Sequence, residues 1–347
     1  MGFLDSNLHY NQALTDLAVA FRQEEEGYLW SKLLPPKVVA HRSDVIRQID
    51  KGQLLRLYDM RVGRGGRAGE IQYKIGANLT YNTIDYAVEA IVRGTEAANA
   101  DAILQHEQEL IYHATIAMHT NIEYVTVKTI LRDTAVMTNN TTLAGGDRWD
   151  QFNSPSSDPV EDIKRKVLRI KSRTGHAPNL VVMHDMVWDV VQRHPKSLER
   201  AGVHNGGLGI ITKEMFEKIC DLPPGSLMTT SLTYNLALED QTADFRSFIG
   251  DDVIIAYNEP GNTRTYGLGQ MFQWPGDELG NMTKQAGMSA PFSVLQFPDN
   301  WKDIRGANVL RIVGSLDPKV LNVDAGELLV DVVDSTDSTA YGSFLNN

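Results

Sequence analysis

The sequence predicts an α+β protein that keeps much of its structure outside a compact core. Three observations lead there. Two alternating strand runs flank a glycine- and arginine-rich turn, an apolar helical stripe persists from 99 to 131, and a capped helix–strand–helix unit opens at Asp158.

Residues 1–45 read as a thin arm. Leu14, Leu17, Ala18 and Phe21 stand at helical spacing and Gly27 closes that segment. Leu33-Leu34-Pro35-Pro36 then demands extended backbone, because a residue before proline avoids the helical region. Residues 46–92 read as a long hairpin. Leu55 and Leu57 mark one strand; Ile71, Tyr73 and Ile75 mark the other, with Gln72 and Lys74 on its opposite face. Between them Arg61 to Gly69 forms a flexible cationic tip carrying Arg61, Arg64 and Arg67. A further alternating run places Ile84, Tyr86, Val88, Ala90 and Val92 on one face.

Residues 93–150 contain the strongest helical pattern. Ile103, Leu110, Ala117 and Tyr124 form one rail, and Leu104, Ile111, Met118 and Val125 the rail beside it, with Gln, Glu and His on the polar side. A helix of this extent is roughly 45–50 Å long, a spine more than a domain helix. Its β-branched end, Val125 to Ile130, reads as irregular backbone or strand.

Residues 151–290 read as an α/β unit. Asp158-Pro159-Val160-Glu161 combines an N-cap, a first-turn proline and a capping-box glutamate, and Gly175 is the natural stop after Thr174. Leu180 to Met183 is a buried strand, Asp185 opens a helix that His194-Pro195 ends, and Thr212 to Ile219 is a third helix. Strands at 226–236, 252–257 and 263–274 complete the unit. Residues 291–335 return to strand pattern, at Phe292 to Phe297, Val309 to Val313 and Leu328 to Val333, and 336–347 form a polar tail.

Composition narrows the function. The 347 residues carry 44 acidic and 33 basic side chains, a formal charge of −11, so the chain has no general attraction for phosphate backbones. One cysteine, Cys220, excludes a disulfide framework or a cysteine-built metal site within the chain. No segment resembles a signal peptide or a membrane span, which places synthesis in a reducing cytoplasm.

The motifs that carry chemistry elsewhere have simpler readings here. Gly63 to Ala68 nearly spells a dinucleotide fingerprint, but a strand follows it where the motif needs a helix. His106, Glu109 and His113 share a helix face without the spacing of a zinc-binding helix. His176, His184 and Asp185 flank the Leu180 strand, where an α/β enzyme places catalytic groups, yet no nucleophile elbow accompanies them, and Asp185 reads as a helix cap. Cys220 sits at a helix C-terminus, where a thiolate is disfavoured. No catalytic residue, metal or cofactor is assigned. Glu24, Glu25 and Glu26 are an acidic run of opposite sign to Arg61, Arg64 and Arg67, and the two are expected to meet between subunits.

The order of these elements resembles the major capsid proteins of tailed bacteriophages, with the Hong Kong 97-type fold shared by encapsulins. Ala13 to Val19 through Pro36 looks like the N-arm, 52–80 like the E-loop, Tyr86 to Asp101 like the approach to the spine helix and 101–131 like that helix. Thr174 to Met183 and Trp188 to Pro195 look like the axial domain, and 291–333 like the strands that close the peripheral domain. The resemblance implies hexamers and pentamers of this chain in a virion head that encloses double-stranded DNA without reading its sequence. It also implies a portal and, because about forty residues precede the hairpin, a scaffolding protein that is separate or dispensed with; decoration proteins and cross-links through Lys51 or Lys74 stay open. The alternatives are an encapsulin-like compartment and a cytosolic α/β enzyme built around His176 and His184.

Overall fold

The computed structural model describes residues 9–10, 28–49, 57, 60–61, 75–93, 103–202, 210–238, 241–259, 267–275, 292–299, 301–304 and 306–334. After strand β1 (His9–Tyr10), a single turn of helix α1 (Trp30–Leu33) leads into the extended β2 (Pro36–Val38), as the Pro35-Pro36 pair requires. The helix expected around 14–21 lies outside the described residues. The hairpin is made by β3 (Ser43–Ile49) and β4 (Ile75–Asn82), antiparallel from Ser43↔Asn82 to Ile49↔Ile75. Its first arm therefore starts before the run that holds Leu55 and Leu57. β5 (Ile84–Arg93) follows after Thr83 alone.

The spine is helix α2 (Ile103–Glu123) continued by a π-helical segment, Tyr124–Leu131. Arg132 N donates to Val127 O, five residues back, which is the wider turn, and the Thr129 hydroxyl also reaches Tyr124 O. The β-branched run crowds a regular helix and coincides with it. Ile111 and Met118 are buried as expected, whereas Ala117 of the other rail is exposed. The buried stripe turns instead toward Thr115, His119, Ile122 and Glu123, so two residues assigned to the polar side lie in the core.

The α/β unit contains helix α3 (Pro159–Thr174), with Asp158 Oδ1 accepting from Glu161 N and Gly175 at φ +80°. Strand β7 (Leu180–His184) runs into α4 (Asp185–Arg193). Asp185 is not the cap. His184 is, its Nδ1 accepting from Met186 N at 3.1 Å. His194-Pro195 ends α4 and at once starts α5 (Pro195–Arg200), because His194 Nδ1 accepts from Lys196 N and proline suits a first helical turn. Thr212 caps α6 (Lys213–Ile219).

Two sheets organise the rest. The five-stranded sheet has the order β6-β15-β11-β7-β8, where β6 is Asn140–Thr142, β8 Leu227–Thr230, β11 Val253–Ala256 and β15 Gly326–Val330. The other sheet is built on β14 (Ala307–Val320), flanked on one edge by β13 (Ser293–Asp299) and β12 (Gly269–Trp274) and on the other by β5; β1 and β2 lie beyond. Two strands depart from the sequence reading. β12 leaves the α/β unit to pair with β14 and β2, and β15 joins β11 instead of the closing strands of the other sheet. Local hydrophobicity marks a buried strand but not its partner. β14 also runs past Gly314 to Pro318, which is tolerated because its β5-side pairing ends at Leu316 and leaves that edge open. A short pair, β9 (Thr233–Asn235) and β10 (Phe245–Ser247), stands apart.

Both faces of the five-stranded sheet are covered. Leu180, Val182, Ile254, Ala256 and Leu328 face a core shared with α1, the spine and the larger sheet. Val181, Met183, Val253, Ile255 and Leu329 face α3, α4 and α6.

Candidate assembly surfaces

Three projections carry side chains that the described chain does not cover. The first is the β3–β4 hairpin. Its base is anchored: Tyr81 stacks on Phe272 of β12 at 4.7 Å, Asn82 N donates to Asp317 of β14 at 2.8 Å, and Arg42 pairs with Asp85 at 2.7 Å. Toward the tip Leu57 is 98% and Met60 77% exposed. Arg61 is exposed there as well. Arg64, Arg67 and the acidic run Glu24, Glu25 and Glu26 lie outside the described residues.

The second projection is the β13–β14 turn, with Trp301 98% and Ile304 100% exposed. The turn is shaped from within: Asp299 Oδ1 accepts from Trp301 N at 2.9 Å, and Gly306, at φ +77°, donates to Asp303 O at 3.0 Å. Behind it Lys302 bonds Glu89 at 2.6 Å and Arg311 pairs with the same carboxylate, which holds Glu89 below the usual carboxylate range. The third is the β9–β10 tip, where Leu236, Leu238 and Phe245 are exposed and Asn235 Oδ1 accepts from Ala237 N and Asp244 N. Neither apolar tip was singled out in the sequence, since an isolated Trp or Leu in a polar loop carries no period.

The groups on which a cytosolic enzyme reading would rest have other partners among the described residues. His184 and His194 are buried helix caps, and His194 Nε2 also meets Ser157 Oγ at 3.1 Å; burial lowers both imidazoles. His176 stacks on Tyr257 at 4.9 Å, away from that role. Cys220 is fully buried and burial pushes its thiol up to about 12, so it is no nucleophile. Glu109 and His113 are exposed, and the side chain of His106 lies outside the described residues.

One acidic group was missed: Asp251, Asp252 and Asp331 bring carboxylate oxygens within 4.8 Å of one another. Arg132 supplies the positive charge. Its Nε lies 2.5 Å from Asp252 and its NH2 3.7 Å from Asp251, and it also donates to Phe248 O. Burial nevertheless pushes Asp252 up to about 6. The adjacent pair Asp251-Asp252 was visible in the sequence, but Asp331 and Arg132 are far from it along the chain.

Solved structures repeat this architecture. A phage-related protein from Bordetella bronchiseptica superposes with a TM-score of 0.67 at 19% identity, over 94% of this chain and 98% of that one. A protein of an Escherichia coli CFT073 prophage, assigned as its capsid protein, gives 0.50 at 12% identity over 93% and 99%. The fold is that of the phage capsid proteins. The SrpI encapsulin of Synechococcus elongatus shares it, with a TM-score of 0.53 at 14% identity over 90% of both chains. No family model and no curated protein matches the chain by sequence. The capsid fold is mixed helix and strand, as the sequence predicted, and spans nearly the whole chain.

Proposed function

We propose that the chain is the major capsid protein of a tailed phage, a structural subunit and not an enzyme, which assembles into an icosahedral head around double-stranded DNA. The observation that carries this reading is a capsid fold whose hairpin and two apolar tips project from the body with nothing in the described chain to cover them. Copies of the same chain, arranged as hexamers and pentamers, would bury these tips, and many modest contacts would sum to a closed shell. Pairing of Glu24, Glu25 and Glu26 with Arg61, Arg64 and Arg67 of a neighbour belongs to the same proposal, as do scaffolding, portal and decoration partners. The formal charge of −11 suits a wall that encloses DNA without binding it.

The test is expression of the chain alone and with a candidate scaffolding protein, followed by sedimentation and negative-stain electron microscopy. Closed shells or capsomer rings are expected. A monomer that persists in both conditions would overturn the reading. The shared fold of the encapsulin keeps one second reading, a compartment with protein cargo. Nuclease-protected DNA inside shells from the native source supports the phage head, and co-purifying enzyme without DNA supports the compartment.

A further inference from the structure

We propose that Glu123 is a pH-responsive latch that holds residues 28–34 against the spine helix. A one-turn helix such as α1 has no stability of its own, so its placement depends on what grips it. Leu29, Trp30, Leu33 and Leu34 are buried, Tyr28 Oη lies 3.1 Å from Thr120 Oγ1, and the His119 ring stacks on Tyr28 and Trp30 and meets Phe292 edge-on. Two polar clamps close the ends. At the start, Glu123 Oε2 accepts from Leu29 N at 3.2 Å and Trp30 N at 2.8 Å. At the finish, Asn258 Nδ2 donates to the Leu33 and Lys32 carbonyls while its Oδ1 accepts from Gly269 N. Gly269 is required there, since a Cβ would lie 2.3 Å from Lys319 O and 2.7 Å from Leu34 Cδ2.

The two clamps differ in one respect: the Asn258 amide does not titrate and the Glu123 carboxyl does. Glu123 is 1% exposed, and among the described residues no salt bridge that reaches it is found. Burial pushes its carboxyl up to about 7, against the lowering effect of the two backbone amides. Among the described residues, the titratable side chains in or against the same core include His119 and Tyr124 of the spine, Tyr28 on the held segment, Tyr86 of β5 and Tyr234 of β9. Glu89 of β5 and Arg311 of β14 pair with each other at an exposed position. Oε2 accepts from both amides and Oε1 adds only a second, longer contact to Leu29 N at 3.3 Å, so a carboxyl protonated on Oε1 keeps one bond to each amide. Ionisation instead leaves a buried charge that water would solvate if the segment moved away. A folded-state value raised above the free one means attachment is strongest below the ordinary carboxylate range, weakens as pH rises through about 7, and levels off beyond it.

The measurement is amide hydrogen exchange on the full chain at about pH 5 and about pH 8, with intrinsic rates divided out. The Leu33 and Leu34 amides, which donate to Leu29 and Trp30 carbonyls, should lose protection by at least about tenfold at the higher pH, while β7 and β11 stay unchanged. Glu123→Gln, which keeps shape and acceptor, should hold protection level across the range. Flat protection in the unaltered chain, or a drop that survives in Glu123→Gln, overturns the latch. Should Glu123→Gln leave the segment unprotected at both pH values, His119→Phe decides. It keeps the ring stack, so retention of the drop supports Glu123 and its loss assigns the response to His119 and overturns the proposal.

Discussion

The two sheets of this molecule solve the burial problem in opposite ways. The five-stranded sheet is covered on both faces by its own chain, and β7 and β11 are buried along their whole length. Among the described residues the larger sheet is covered on one face. Along β5 buried and accessible residues alternate, and Glu89 and Arg311 stay accessible. From its margins project the β3–β4 hairpin and the Trp301 turn. A doubly covered sheet is complete within one subunit, whereas a singly covered antiparallel sheet can face water, and its apolar projections are the surfaces that the proposed assembly would cover. The first region accounts for subunit stability and the second for the proposed assembly.

Substitutions can break that division. The largest effect is expected from Glu327→Ala in β15. Glu327 is 1% exposed and pairs with Lys166 at 3.0 Å and Arg173 at 2.8 Å, so its removal leaves the buried Lys166 ammonium without its counter-charge. A loss of about 3–5 kcal/mol is expected in denaturant unfolding, and Lys166→Met in the same chain should recover much of it. If Glu327→Ala costs no more than a surface change, the covered sheet is not the stability centre.

A smaller effect separates the regions by pH. His184 and His194 have folded-state values lowered by burial, so their contribution is present above the free histidine value and is lost as pH falls below it. Acidification should therefore loosen α4 and α5 while it tightens residues 28–34, and hydrogen exchange reads both in one sample. Parallel responses would mean that the two regions do not open independently. The smallest effect on subunit stability belongs to Trp301→Ser with Ile304→Ser. Both side chains are fully or almost fully exposed, so unfolding should shift by no more than about 0.5 kcal/mol, yet shells should fail to form. Normal shells from this variant would remove the β13–β14 turn from the assembly surfaces.

Legibility in the sequence followed the range of the interaction. α3 could be bounded to the residue, because Asp158, Pro159 and Gly175 act on their own neighbours. The spine was legible as a stripe, but its rotation was not: His119 and Glu123 are polar by type and become core residues only because α1 and Phe292 close over them. The same holds for the caps. Asp185 has the better composition, yet His184 adopts extended backbone at the strand end and so has the geometry to accept from Met186 N.

By itself, then, the sequence determined the α+β class, the element order, the hairpin, the spine and the absence of a local catalytic motif, since periodicity, caps and turns are written within a few residues. The tertiary structure alone decided that β12 crosses to the larger sheet, that β15 enters the smaller one, that Arg132 meets Asp251 and Asp252 with Asp331 beside them, and that Glu123 grips α1. Those are contacts between positions dozens to hundreds of residues apart, and strand partnership or carboxylate burial is set by which surfaces meet, a quantity no local pattern encodes.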